Sequence, residues 1–232
     1  MDYKEPPKTP PSHYECVISL KESSTFTPAQ VKQFAFNAML QLEGWFSQEK
    51  AGILVDLVLK NKPTTIVEIG VFGGKSLVPM AFALKANERG TIIGIDPWDN
   101  QASIEGLVNE TNKNWWGSLD HELIRLGLLS KIRQFGLENQ IELIKSTSAD
   151  APAIEDIDLL HIDGNHSDGA SYFDVTKWVP LVKSGGCIIF DDMTWYENGV
   201  YTTSRAVEWL NTNCIKFVEF TDSCTWGIWI KP

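Results

Sequence analysis

The chain has 232 residues, 43% hydrophobic and 22% charged, with 20 Lys plus Arg against 30 Asp plus Glu. The net charge of −10 repels a phosphate backbone and no basic patch offsets it, so no nucleic-acid partner is expected. No apolar run of about 18 residues is long enough to span a bilayer, and no basic-then-apolar leader opens the chain. Membrane association is therefore not expected. Cys16, Cys187, Cys214 and Cys224 lack metal-ligand spacing and are read as free thiols of a cytoplasmic protein. The Asn-x-Ser/Thr triplets at Asn109 and Asn165 are accordingly read as chance.

Residues 1–27 begin with a proline-rich polar stretch, which predicts a flexible or partner-contacting arm. Thr27-Pro28 has the form of a helix start. Val31, Phe34, Ala35, Ala38, Leu42, Trp45 and Phe46 follow at helical spacing, then Ile53, Leu54, Leu57 and Val58 before Asn61-Lys62-Pro63. Residues 28–63 thus form a helical N-terminal cap, expected either to cover a site mouth or to make a homo-oligomer contact. Over 64–232, short apolar runs alternate with helical stretches. Strands are predicted at Thr65–Ile69, Thr91–Ile95, Ile141–Ile144, Ile157–Ile162 and Cys187–Phe190, the last behind a Gly185-Gly186 turn. Helices are predicted at 75–87, 119–135, 172–182 and 202–210, and residues 97–118 read as an inserted loop region. Lys216–Phe220 and Thr225–Ile230 flank Asp222-Ser223 as an antiparallel hairpin. The pattern predicts an α/β fold: a Rossmann-like, mostly parallel seven-stranded sheet with helices on both faces and a C-terminal antiparallel hairpin.

Val67-Glu68-Ile69-Gly70-Val71-Phe72-Gly73-Gly74-Lys75-Ser76 places a glycine turn between a strand and a helix. Glycines let the chain bend and approach a ligand, and a helix start offers unpaired N–H groups. The order does not match a P-loop. Glu68 at the strand mouth suits an ammonium group and disfavours a pyrophosphate, while Asp96, at the end of the next strand, can accept hydrogen bonds from ribose hydroxyls. The pair favours a nucleoside with a cationic amino-acid end over NAD. Asp163, in His161-Ile162-Asp163-Gly164-Asn165-His166, and the adjacent Asp191-Asp192 each follow an apolar strand. In a parallel sheet they emerge on one edge, where three carboxylates need a compensating cation; oxygen donors suit Mg²⁺. His166 is placed to take a proton from a substrate hydroxyl, whereas His161, inside the strand, is expected to hydrogen-bond beneath the site.

Together these motifs resemble class I S-adenosylmethionine-dependent methyltransferases, and more narrowly the metal-dependent small-molecule O-methyltransferases of the macrolide-sugar (macrocin-type) branch. The resemblance implies S-adenosyl-L-methionine held by Glu68, Gly70, Gly73, Ser76 and Asp96, with Ser76 assisting the carboxylate. It implies Mg²⁺ on Asp163, Asp191 and Asp192, and His166, with Asp163, in the catalytic role. A further acidic ligand from the inserted region, Glu105 or Glu110, stays open. The expected reaction is methyl transfer to a hydroxyl of a small molecule such as a sugar or natural product. Transfer to nitrogen, or a non-enzymatic partner protein retaining the fold, are the alternatives. Trp195, Tyr196, Trp115 and Trp116, read as lying outside the regular elements, are the candidate walls of the acceptor pocket. Trp226 and Trp229 should face opposite sides of the last strand, one in the core and one free for a lid or interface contact.

Overall fold

The computed structural model describes residues 26–221 and 225–232. The expected arm, Cys16, Cys224 and the Asp222-Ser223 turn lie wholly or almost wholly outside these residues. Helix α1 (Pro28–Met39) starts where the sequence predicts, closed by a capping box: Gln30 N–H donates to Thr27 Oγ1 at 3.3 Å, and Thr27 N–H donates to the Gln30 side chain at 3.0 Å. The apolar period predicts continuation to Phe46, yet the helix stops at Met39. Gly44 adopts a φ of 122°, and Ser47 caps α2 (Gln48–Asn61) through the Lys50 N–H. Trp45 and Phe46 are thereby released onto a loop.

The chain then forms β1 (Thr65–Ile69), α3 (Leu77–Ala86) and β2 (Thr91–Asp96). The stretch 97–118 is not a plain loop: it contains α4 (Asn100–Ile104) and α5 (Glu110–Gly117), the latter N-capped by Asn109. Trp115 and Trp116 therefore stand on a helix. Next come α6 (His121–Phe135), closed by left-handed Gly136, then β3 (Ile141–Lys145) and β4 (Ile157–Ile162). Helix α7 (Asp168–Trp178) ends before Val182 because Pro180 has no N–H to continue it, and a 3₁₀ turn (Val179–Leu181) follows. Strand β5 (Val182–Phe190) runs through Gly185-Gly186, which is strand rather than turn. A short hairpin, β6 (Tyr196–Glu197) and β7 (Val200–Tyr201), precedes α8 (Ser204–Asn213), β8 (Ile215–Phe220) and β9 (Trp226–Ile230).

The seven-stranded sheet has the order β3-β2-β1-β4-β5-β9-β8. The first five strands are parallel; β9 is antiparallel to both β5 and β8. Alternation along each strand divides the core. Ile66, Ile92, Leu159, Ile189 and Trp226 pack with residues of α1, α2, α3 and α6, whereas Val67, Ile95, Leu160, Ile188 and Trp229 pack with α7 and α8. Trp226 and Trp229 do face opposite sides, but both are core, so neither is free for a lid contact. Because strand order reverses between β1 and β4, a crevice opens beyond their carboxyl ends.

At the opposite edge, Asp158 Oδ2 accepts from Thr64 N–H, Thr64 Oγ1 and Thr65 N–H at 2.7, 2.6 and 3.0 Å, and Oδ1 accepts from Lys183 at 2.8 Å. Partial burial opposes its charge, but Lys183, Thr64 and Thr65 prevail and hold the carboxyl below its ordinary range. A depressed carboxyl stabilises the fold above its unfolded value, about pH 4, and loses that contribution as pH falls through the folded value. Asp158→Asn should therefore lower stability at pH 7 by about 1–3 kcal/mol and narrow the gap to wild type near pH 2. Urea denaturation at both pH values measures this; an unchanged gap contradicts it.

Candidate active site

The strand ends are locked together before any side chain is considered. Gly70 N–H donates to Ile95 C=O, Asp163 N–H to Ile69 C=O and Asp191 N–H to Ile162 C=O, at 2.8–3.0 Å. Gly70 has φ +84°, and a Cβ there would lie 2.1 Å from the Asp163 carbonyl oxygen, so only glycine permits this approach. Gly73 admits the α1–α2 loop: a Cβ there would meet Glu43 at 2.6 Å. Asp96 holds the turn from the side, its carboxylate accepting from the backbone amides of Val71, Phe72 and Trp98 at 2.7–2.9 Å. Burial raises its carboxyl against the pull of those amides.

Beneath the crevice, buried charges form a chain across three strands. Ser76 Oγ donates to Glu68 Oε1 at 2.6 Å, and Glu68 Oε2 faces His161 Nδ1 at 3.6 Å. His161 Nε2 meets Asp191 Oδ2 at 3.0 Å, and Lys50 pairs with Asp191 Oδ1. Burial disfavours a charged His161, but Asp191 and Glu68 raise it to about 10. His161 thus hydrogen-bonds under the site, as its place within the strand predicts. Glu68 is fully buried and does not line the crevice; Ser76 does, with its hydroxyl proton committed to Glu68. Direct contact of Glu68 with a ligand ammonium is not what this geometry offers. Asp191 is likewise 1% exposed and off the lining, although His161, Asp163 and Asp191 offer ligand atoms within 4.8 Å of one another.

Above lies a cleft of about 820 Å³, within the range of small-molecule sites, floored by Gly70, Ser76, Asp163 and Gly164. Asp163, His166 and Asp192 converge there, their ligand atoms also within 4.8 Å of one another. His166 Nε2 lies 3.0 Å from Asp192 Oδ2. Asp192 has a left-handed φ of 51°, and Thr203 Oγ1 and Trp195 N–H both donate to its carbonyl at 2.9 Å. That strained turn separates neighbours: Asp191 joins the buried chain and Asp192 reaches the cleft. Burial, then Asp191, push Asp163 up to about 7. His166 is raised despite burial, chiefly by its hydrogen bond to Asp192.

Trp115, Trp116, Trp195 and Tyr196 all border the cleft, joined by Trp45 and Phe46 from the α1–α2 loop. Trp45 stacks on Phe72 at 5.5 Å and meets Trp115 edge-on at 5.1 Å, while His166 lies 4.6 Å from the Trp195 ring. The α1–α2 segment thus contributes to the mouth. Glu105 and Glu110 do not line it; Glu110 pairs with Lys113.

Residues 67–193, more than half of the chain, match the family model described as a methyltransferase domain. The chain belongs to this methyltransferase-domain family. A caffeoyl-CoA O-methyltransferase of Stellaria longipes is 26% identical over 174 residues, covering 71% of this chain and 61% of the relative's length. Among solved structures, an O-methyltransferase from Bacillus cereus, in complex with SAH, superposes with a TM-score of 0.60 at 17% identity, over 88% of this chain and 90% of that one. The O-methyltransferase TomG of Streptomyces achromogenes, solved with SAM, also gives 0.60 at 17% identity, over 94% and 95% of the two chains. These likenesses establish the class I methyltransferase fold, as the sequence motifs predict.

Several residues of this methyltransferase-family site carry no local sequence signal. Lys50 belongs to another helix. Glu197 is buried and accepts from Val108 N–H, Asn109 N–H, Asn112 and Trp195, tying α5 to the β6–β7 hairpin. Burial opposes its charge, yet those donors lower its carboxyl. Asp174 on α7 lies under Gly164, pushed up to about 7 mainly by burial. His121 is buried against Ser103 and the Trp116 carbonyl, bracing the inserted helices. Among the described residues, no helix is long and apolar enough to cross a membrane.

Replacing His161 with Ala would leave the Glu68 and Asp191 carboxylates buried without the cation between them. Loss of one partner of a buried ionic group is expected to reduce stability by about 3–5 kcal/mol. Equilibrium guanidinium unfolding tests this, and a loss below about 1 kcal/mol would contradict it.

Proposed function

We propose that this protein is an S-adenosylmethionine-dependent O-methyltransferase that uses a divalent ion, Mg²⁺ first, and acts on a hydroxyl of a small molecule such as a sugar or natural product. The observation that carries the reading is the meeting of Asp163, His166 and Asp192 beside the Gly70–Ser76 turn in one aromatic-walled cleft. The caffeoyl-CoA O-methyltransferase relative and the folds solved with SAM and SAH support it. Cys187 and Cys214, both free and buried, suit a cytoplasmic setting.

The residues present fit both groups. The crevice lies at the sheet's switch point, where a nucleoside is commonly held. Asp96 stands at the end of β2 for ribose hydroxyls, while Gly70, Gly73 and Ser76 shape the amino-acid end, with Glu68 supplying negative charge behind Ser76. Asp163 is pushed up first by burial and then by the neighbouring carboxylates of Asp191 and Asp192, and a hard cation would relieve the carboxylate crowding. Asp163 and Asp192 reach the cleft as oxygen donors, and one or two carboxylates are what Mg²⁺ ordinarily takes from a protein. When bound, the two groups supply an electrophilic sulfonium methyl and Lewis acidity toward the acceptor oxygen.

Asp192 orients the His166 imidazole through Nε2, leaving Nδ1 to accept the acceptor's hydroxyl proton. Trp115, Trp116, Trp195 and Tyr196 exclude water and bind apolar acceptor surface, which favours in-line approach. His166→Gln should keep cofactor and ion binding while slowing single-turnover transfer by about 10²–10⁴-fold. The assay is labelled-methyl transfer across a panel of hydroxyl and amine acceptors; a near-wild-type rate in the variant removes the base assignment. Chelation should abolish turnover and Mg²⁺ restore it, whereas full activity without metal would refute the ion's role. Calorimetry should show S-adenosylhomocysteine binding and no comparable NAD binding.

A further inference from the structure

The β6–β7 hairpin exposes more aromatic surface than its size explains. Tyr196 lies opposite Tyr201 and Glu197 opposite Val200, and so short a pair of strands is marginal in water by its own hydrogen bonds. Tertiary contacts hold it instead. Buried Glu197 takes donors from α5 and its approach, Asn198 Nδ2 donates to the Val108 carbonyl at 2.8 Å, and Thr202 N–H donates to the Trp195 carbonyl at 3.0 Å. With Glu197 turned inward, the tyrosines stand on the other face of the ribbon. They are 59% and 53% exposed, with their rings edge to face at 5.2 Å. A firmly held hairpin thus presents a fixed aromatic pair to solvent.

Tyr196 borders the cleft and Tyr201 does not, so the pair carries the aromatic wall outward beyond the mouth. A contiguous exposed apolar patch marks a contact surface, and tyrosine suits one because its rigid ring is apolar along its body and polar at its tip. Two such rings supply at most about 500 Å², half of the roughly 1,000 Å² that a specific protein contact needs. The pair therefore fits part of a small molecule better than a second chain, and its continuity with the cleft indicates which molecule.

We propose that Tyr196 and Tyr201 form an outer acceptor subsite, and that the acceptor is a two-part molecule. Its hydroxyl-bearing part enters the cleft, while a flat apolar ring system leaves the mouth and packs on the tyrosine pair. Tyr201 is then a specificity-determining residue outside the cleft. The inference rests on the methyl-transfer reading above and adds the shape of its acceptor.

The test uses the full chain loaded with S-adenosylhomocysteine and two calorimetric probes that share their sugar hydroxyls, methyl β-glucoside and naphthyl β-glucoside. The naphthyl compound should bind at least about tenfold more tightly than the methyl compound. Tyr201→Ser should cut that advantage to about threefold or less, whereas Tyr201→Phe, which keeps the ring, should retain it. Unaltered S-adenosylhomocysteine affinity in both variants reports an intact fold. No naphthyl advantage in the wild type, or one that survives Tyr201→Ser, would overturn the subsite while leaving methyl transfer intact. Failure of the wild type to bind S-adenosylhomocysteine would overturn the underlying reading as well. Light scattering covers the rival occupant: a wild-type dimer that Tyr201→Ser converts to monomer would give the pair to a second copy of the chain and overturn the proposal.

Discussion

Four ionisable groups, Glu68, His161, Asp191 and Lys50, are buried in one connected chain at the centre of the sheet's working edge. Such groups are tolerated only when each charge has a partner, because an isolated buried charge is far more costly than a lost contact. This constraint links segments far apart in sequence: the cap helix, the end of β5, the end of β4, the end of β1 and, through Ser76, the start of α3. The register that sets Glu68 opposite His161 on adjacent strands makes the pairing available.

What sits above the chain follows from it. With Asp191 held below, the left-handed turn at Asp192 becomes the means by which a second carboxylate reaches the cleft beside Asp163 and His166. Thr203 and Trp195 pin that turn from the following segment, and Glu197 fastens the same segment to α5. The aromatic wall and the carboxylate floor are thus positioned by shared contacts, so a change at the hairpin would be felt at both.

Much of the architecture was legible in the residues. Alternating apolar strands and periodic helices fix the sheet class, because burial on both faces demands that pattern, and Thr27-Pro28 marks a helix start through local hydrogen bonding. Asp163, His166 and Asp192 were readable because strand ends of a parallel sheet emerge on one edge. Less was legible where local patterns conflicted with distant packing. The helical period through Trp45 and Phe46 is real in sequence, yet the helix ends at Met39 and Gly44 turns the chain so that those rings reach the mouth. Gly185-Gly186 has turn composition but is drawn into β5 by its neighbours.

The order of elements, the glycine turn and the set of acidic residues at the strand ends are written in the linear chain, since each depends on spacing within a few residues. Packing settles which of those acids is exposed and which is neutralised. Glu68 and Asp191 read like their neighbours in a linear chain. Their buried roles come from His161 on an adjacent strand and from Lys50, 141 positions before Asp191 on a separate helix. Charge pairing acts through space and is set by packing, so no local spacing rule could have announced it.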